Sequence, residues 1–328
     1  MSRAPDVSVV VATLNRAELL EGLFAGLRAQ RLDRNRFEVV VVDDGSTDET
    51  PALLEAERER GELDLRVITN PRNEGLAPSR QRGWHSARAG LLAFTDDDCV
   101  PQPGWLEAGL ETARREGPTA IVQGRTEGRT SDLERMPRWR RPFTRTLIIS
   151  GPDPHLQTCN AFYPRAVLES VGGLDTEGFA RYVGDDADLA WRARGAGATA
   201  AFEPGALVEH AFVYQGPAGK LRYAAGWDFK VYALHPGLRR AYFTRRWFWK
   251  GSHYFLFRAL VGALLPRQIG VLRRPLRAWL AVPYAVHLLE RGRLEGGGPL
   301  LAPYYFFHDL IEVGAALRST ARYRKPML

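Results

Sequence analysis

The sequence predicts an α/β fold: a mostly parallel sheet with helices on both faces, followed by a helical extension rich in basic and aromatic residues. Three observations predict it. Short, continuous apolar runs alternate with helix-length amphipathic segments over the first two hundred residues, as in a parallel sheet covered on both sides. The polar stretches "ATLNR", "DDGSTD" and "TDDDC" each follow such a run, where open α/β sheets bind ligands. The charge also divides. Residues 1–215 hold 26 Lys and Arg against 33 Asp and Glu, whereas residues 216–328 hold 19 against 5. Two domains are expected with that boundary.

"VSVVVAT" reads as the first strand, and "NRAELLEGLFAGLRAQ" as a helix with Leu19, Leu20, Leu23, Phe24 and Leu27 on one face. "FEVVVVDDGS" is a second strand ending in acids. "TDETPALLEAERER" opens with capping residues and an early proline, so a helix follows. "LDLRVITN", "APSRQRGWHSARAG" and "LLAFTDDD" read as strand, helix and strand. "PQPGWLEAGLETARREG" is a helix and "TAIVQGRTEG" a strand. Residues 125–157, rich in Arg, Pro and Trp, read as a long loop. "TCNAFYPRAVLESVGGLD" is strand, helix and Gly-Gly turn, "GDDADLAWRARGAG" a helix with acids in its first turn, and "TAAFEPGALVEHAF" a closing strand.

After Gly216 arginines and aromatics interleave, as in "RRAYFTRRWFWKGSHYFLFRALVGALL". The apolar stretches "AWLAVPYAVHLL" and "PLLAPYYFFHDLIEVGAAL" fall short of the roughly 20 uninterrupted apolar residues a spanning helix needs. Short helices mixing Arg, Trp and Phe suit a membrane interface, so an anionic membrane surface is the expected partner. The alternative is an aromatic subdomain packed on the sheet. The N-terminus lacks signal-peptide character, and the two cysteines, Cys99 and Cys159, make neither a disulfide framework nor a metal motif. A cytoplasmic protein, peripheral on the inner face of the membrane, is expected.

The triplet Asp96, Asp97, Asp98 places like charges side by side at a strand end, where each raises the pKa of the others unless a cation intervenes. Asp-x-Asp spacing gives a hard divalent ion such as Mn²⁺ or Mg²⁺ two carboxylates, as in sites that also hold substrate phosphates. A solvated acidic turn is the plainer alternative. At a second strand end, Asp43 and Asp44 are suited to accept from a ribose hydroxyl or a base N–H. Ser46, Thr47 and Asp48 beside them also cap helices well. Arg80 stands on a helix facing the same crevice, where it would pair with phosphate.

Taken together, "VSVVVATLNRAELL", "VVVVDDGSTDET", "NEGLAPSRQRG", "LLAFTDDDCVPQPGWL" and "GGLDTEGFARYVGDDADLAWRARGAG" resemble glycosyltransferase family 2, over about residues 6–212. The resemblance implies the Rossmann-like GT-A fold and a nucleoside-diphosphate sugar, with a UDP-sugar favoured, as donor. It implies that Ala12, Thr13 and Asn15 line the nucleotide pocket, that Asp44 contacts the base with Asp43 beside it, and that Arg80 lies near the nucleotide. Asp96 and Asp98 would hold the metal and diphosphate, with Asp97 between them, and His210 would be a third metal ligand. Asn160 would face the donor sugar. Asp186 would be the catalytic base, preceded by Asp185 where many relatives have Glu.

A carboxylate within reach of an acceptor hydroxyl suits the base role, and one base opposite the leaving group gives inversion. A lipid-linked or glycan acceptor in cell-envelope polysaccharide synthesis follows by family inference. A retaining or soluble-acceptor enzyme of the same fold, or a non-catalytic nucleotide-sugar binder, is the runner-up. Processive synthases carry a Gln-x-x-Arg-Trp stretch that is absent, so single additions are expected. A phospho-receiver domain is excluded because no Lys precedes Lys220, and a P-loop NTPase because the Gly-Lys-Ser/Thr loop is missing. Nucleic acid is disfavoured as the partner of the basic extension.

Overall fold

The computed structural model describes residues 4–179 and 184–328, so residues 180–183 of the "GFARYVGDD" stretch lie outside the described residues. The chain divides into two compact units: Met1–Arg129 with Thr146–Ala211, and Thr130–Arg145 with Phe212–Leu328.

The first unit runs β1 (Val7–Thr13), α1 (Ala17–Arg28), β2 (Phe37–Asp43), α2 (Thr50–Arg60), β3 (Leu65–Thr69), α3 (Leu76–Ser86), β4 (Leu91–Thr95), β5 (Cys99–Pro101), α4 (Trp105–Glu116) and β6 (Ala120–Gly128). The chain then passes through the second unit as α5 (Thr130–Arg135) and β7 (Thr144–Arg145). It returns as β8 (Asn160–Pro164), α6 (Arg165–Ser170), α7 (Asp185–Gly195) and β9 (Thr199–His210). Among the described residues eight strands form one sheet, ordered β3-β2-β1-β4-β8-β6-β9-β5. β3, β2, β1 and β4 are parallel, as are β6 and β9, whereas β8 and β5 pair antiparallel with their neighbours.

The apolar runs are continuous because the sheet is buried on both faces. Val7, Val9 and Val11 enter one core with Leu20, Leu23 and Leu27 of α1. Val10 enters the other with Val40, Phe94, Trp84 of α3 and Leu189 of α7. The strand order then fixes where a ligand can sit. From β1 the chain moves outward to β2 and β3, then returns to place β4 on the other side of β1. The carboxyl ends of β1 and β4 thus flank the point where the order reverses.

Residues 125–157, expected to be a loop, are partly ordered: β6 ends at Gly128, as the strand pattern of "TAIVQGRTEG" does, and α5 and β7 follow. The ladder with β9 carries β6 through this stretch after a bulge between Gly124 and Arg125, and Thr126 pairs with Ile149. Long-range pairing here overrides a composition that reads locally as loop.

The second unit adds β10 (Val213–Tyr214), which pairs with β7, then α8 (Gly216–Ala225), α9 (Lys230–Leu234), α10 (Pro236–Tyr242), α11 (Gly251–Ala263), α12 (Arg273–Leu294) and α13 (Ala302–Tyr323). No described helix is long and apolar enough to cross a membrane. A buried polar network joins α11, α12 and α13. Glu312 takes Lys250 Nζ at 2.6 Å and His253 Nε2 at 3.3 Å, while Asp309 takes Arg291 Nη1 at 3.1 Å and the Tyr284 hydroxyl at 3.1 Å. Burial would raise the pKa of Glu312, but the hydrogen bond from His253 and the charge of Lys250 overcome it and hold it at about 2. His253, Asp309 and Glu312 lie as close together as metal ligands do, yet Lys250 and Arg291 already neutralise both carboxylates.

Candidate active site

The strand ends at the order reversal carry the expected polar residues, and several of their atoms lack partners. Thr13 Oγ1 ends β1, Asp43 Oδ2 ends β2, Thr95 Oγ1 ends β4, and Asp98 Oδ1 follows β4; all are buried without a hydrogen bond. Buried polar atoms are nearly always satisfied. A row of four orphans on one sheet edge marks a surface built to bind a polar ligand.

The neighbouring groups shape the edge. Asn15, at φ +53°, accepts from Thr47 N at 2.8 Å and donates its own N–H to Ser46 Oγ at 2.9 Å, stitching the loop after β1 to the loop after β2. Asp43 Oδ1 accepts from Ser46 N at 3.0 Å, leaving Oδ2 free. Asp44 has no such freedom. Its carboxylate accepts from Asn70 Nδ2 (2.7 Å), Glu74 N (2.9 Å) and Gly75 N (2.8 Å), and so closes the loop after β3. Gly45 sits between them at φ +81°, and a Cβ there would lie 2.8 Å from the Arg72 backbone, so this crossing requires glycine. Ala12 is buried within β1.

Arg80 joins two acidic segments that lie far apart in the chain. It projects from α3, is 4% exposed, and binds Asp96 Oδ1 at 2.6 Å through Nη2 and Asp185 Oδ2 at 3.0 Å through Nη1. Burial disfavours its charge, but Asp96, Asp185 and nearby Asp186 overcome this and raise the guanidinium pKa above its ordinary value. The end of β4 and the start of α7 are thereby held against one cation.

Asp186 is the half-buried partner of that pair. Its Oδ1 accepts from Ala187 N at 2.7 Å. Burial, then repulsion from Asp185, pushes its pKa up to about 6, with Arg80 and His155 opposing the rise. A carboxylate so tuned titrates close to neutrality, as a general base must. Trp191, farther along α7, donates Nε1–H to Pro154 O at 2.8 Å, so it packs within the fold.

Asp98, rather than Asp96, is the carboxylate that meets His210. His210 Nε2 lies 3.5 Å from Asp98 Oδ1. The other ring nitrogen, Nδ1, lies 3.0 Å from Ala211 O. A carbonyl only accepts, so Nδ1 is the nitrogen that donates there, which leaves Nε2 directed at Asp98, the orientation a metal-ligating histidine takes. Cys99 Sγ is nearby, but burial raises its pKa well above the ordinary thiol value and it donates to Cys159 O at 3.7 Å, so it stays protonated. Asp98 Oδ1, which has no hydrogen bond, and His210 Nε2 form an oxygen–nitrogen donor pair of the kind that fits Mn²⁺ or a similar divalent ion. Asp96 stands apart from that group, drawn toward Arg80. Asp97 is 8% exposed, and burial, then repulsion from Asp98 against the opposing charge of Arg16, raises its pKa to about 7.

Asn160, expected beside the donor sugar, is wholly buried with its amide fully used. Nδ2 donates to Arg125 O (2.7 Å) and Ala206 O (2.9 Å), and Oδ1 accepts from Trp105 Nε1 (2.8 Å). The side chain fills the bulge between β6 and β9, where Gly124 leaves room for it. Two residues escaped the sequence reading. Arg16 lies 3.3 Å from Asp98 and 3.8 Å from Asp97. Its signal was its place directly after Asn15 in "TLNR". His155 is held by Asp153 at 2.7 Å, and nothing in its local sequence marks it.

Comparison with known proteins accords with this geometry. The model of Glycosyl transferase family 2 matches residues 8–172. A pre-mycofactocin glycosyltransferase from Mycobacterium tuberculosis is 31% identical over 218 residues, covering 62% of this chain and 42% of that protein. Succinoglycan biosynthesis protein ExoM from Rhizobium meliloti is 29% identical, covering 62% of this chain and 65% of that protein. The chain thus spans less than two thirds of either relative. Among solved structures, the mannosyltransferase PcManGT from Pyrobaculum calidifontis, in complex with GDP-Man and Mn²⁺, shares the fold with TM-score 0.57 and 22% identity over 97% of this chain and 88% of that one. S. aureus TarS 1–349 in complex with UDP does so with TM-score 0.54 and 18% identity, over 89% and 92%. The family match covers half of the sequence and includes the strand ends that carry the orphaned atoms: the chain belongs to glycosyl transferase family 2.

Proposed function

We propose that the protein is a metal-dependent, inverting glycosyltransferase. It would take a sugar from a nucleoside-diphosphate sugar, with a UDP-sugar the favoured donor, and add it to a lipid-linked or glycan acceptor of a cell-envelope polysaccharide. The work would be done peripherally at the cytoplasmic face of an anionic membrane. The row of unpartnered oxygens on Thr13, Asp43, Thr95 and Asp98 carries the reading, because the ribose hydroxyls and base N–H groups of a nucleotide supply the donors that such an edge lacks, and a divalent cation accompanying the diphosphate would supply the positive charge. The bound UDP, GDP-Man and Mn²⁺ of the fold neighbours support it, as does the naming of ExoM for polysaccharide synthesis.

In this reading Thr13, Asn15 and Asp43 face the nucleoside, and Asp44 keeps the base-side loop in place. Asp98 and His210 would hold Mn²⁺ or Mg²⁺, with Asp96 turned away to Arg80, and the ion when bound supplies positive charge to the departing diphosphate. Asp186 accepts the proton of the acceptor hydroxyl as that oxygen bonds to the anomeric carbon. The bond to the diphosphate oxygen breaks on the opposite face, and its electron pair leaves with the nucleotide. Attack from the face opposite the leaving group inverts the anomeric carbon. NMR of the product reads this directly, and a retained configuration would replace the assignment with the retaining alternative.

Calorimetric titration of UDP, dTDP and GDP with and without Mn²⁺ tests the site. One nucleotide is expected to bind, to require Mn²⁺, and to weaken by about 100-fold or more in Asp98→Ala. Absence of nucleotide binding by folded protein, or Mn²⁺-dependent binding unchanged in Asp98→Ala, would sink the proposal.

A further inference from the structure

We propose that the turn between α11 and α12, residues 264–272, seats its aliphatic side chains in the interfacial layer of an anionic lipid bilayer. This rests on the membrane reading above and narrows it from a whole extension to one element.

The turn is unusually apolar for an exposed segment. Leu264 is 82% exposed, Val271 91% and Leu272 65%, and on the adjoining helix Trp279 is 65% exposed. Scattered exposed apolar residues are ordinary; a cluster on one crest is not. The crest is also held in shape. Arg277 of α12 donates to Gly262 O at 3.0 Å and Ala263 O at 2.6 Å, the last carbonyls of α11, and Arg273 Nε donates to Leu265 O in the turn at 3.0 Å. Farther down, Arg258 donates to Trp279 O at 3.0 Å and lies 4.4 Å from the centre of its ring. The aliphatic side chains are therefore presented by a locked hairpin.

Charge selects the occupant. Between Asp228 and Glu290 the chain carries eleven Lys and Arg and no acid. A second copy of the same face would bring like charge against like. A nucleic acid would match the charge but offers nothing to Leu264, Val271 and Leu272, which have no ring to stack on bases. An anionic bilayer matches both properties at once: phosphates for Arg267 and Arg274, which are exposed, and an apolar layer beneath them for the crest.

The test uses the full chain and two vesicle compositions, phosphatidylcholine alone and phosphatidylcholine with phosphatidylglycerol. Wild type is expected to sediment with the anionic vesicles and not with the neutral ones. The triple variant Leu264→Ser, Val271→Ser, Leu272→Ser should lose about tenfold or more in partitioning. These side chains point into solvent, so circular dichroism and Mn²⁺-dependent nucleotide binding should match wild type. A second readout places the crest itself. Cys99 and Cys159 are buried, so Val271→Cys takes an environment-sensitive fluorophore selectively, and its emission should shift to the blue with anionic vesicles. Three results would overturn the proposal: no wild-type binding to anionic vesicles, triple-variant binding equal to wild type, or no shift at position 271. A wild-type dimer that the triple variant dissolves, with vesicle binding unchanged, would assign the crest to a second copy instead. Nucleotide titration on the same preparation keeps this outcome separate from the fate of the catalytic reading.

Discussion

Arg80→Met will cost the catalytic unit about 3–5 kcal/mol of stability, the range for removing one partner of a buried ion pair. Methionine fills much of the same space, so the loss is chiefly electrostatic. Asp96 and Asp185 lie 2.6 and 3.0 Å from the guanidinium, and without it two carboxylates confront each other with no cation between them. Asp186 suffers as well, because Arg80 opposes the rise of its pKa. Urea unfolding followed through the catalytic unit measures the first effect. Arg80→Lys, which keeps the charge but not the two-pronged fork, should fall between wild type and Arg80→Met. An Arg80→Met protein as stable as wild type and equally able to bind nucleotide would show that the two acidic segments do not depend on the clamp.

Asp186→Asn should lower kcat by about 10²–10⁴-fold, the usual contribution of a positioned general base. Nucleotide binding should be unchanged, since Asp186 is assigned to the acceptor side. The pH profile separates this from a structural effect. Asp186 must be ionised to accept a proton, and its pKa is about 6. Wild-type kcat/KM should therefore be flat above that value and fall tenfold per pH unit well below it. The residual activity of Asp186→Asn should lack that acid limb. If the limb persisted in the variant, the base would be another group, with His155 the first to examine.

The strands and their ends were legible because both faces of the sheet are buried. Val39 to Val42 must all be apolar when alternate residues enter two different cores, and the acids that follow stand out against them. Asp98, Asp186 and His210 could be nominated for the same reason. Their partnerships could not. Arg80 is 16 residues from Asp96 and 105 from Asp185, and no local pattern encodes a contact made by strand order. Asn160 shows the converse. A polar residue beside a candidate site looks functional in sequence, yet the bulge between β6 and β9 leaves carbonyls at Arg125 and Ala206 that need a donor, and its amide serves them. The order beyond Gly128 was hidden for a related reason, since β7 pairs with β10, which the chain reaches only after β9.

The network of Glu312, Asp309, Lys250 and Arg291 has a consequence for how the helical unit tells its inside from its outside. A bundle with leucines, valines and tryptophans on its outer surface gains little by burying one greasy face rather than another. Its helices could rotate about their axes, or slip by a turn, and still hide similar apolar area. Charged groups remove that degeneracy. Glu312 and Asp309 tolerate burial only where Lys250, Arg291, His253 and Tyr284 meet them, so a rotated or slipped packing would strand two carboxylates in hydrocarbon. Measured against an apolar replacement such pairs add little to stability; their effect is to penalise any packing of these helices that separates Glu312 and Asp309 from their partners.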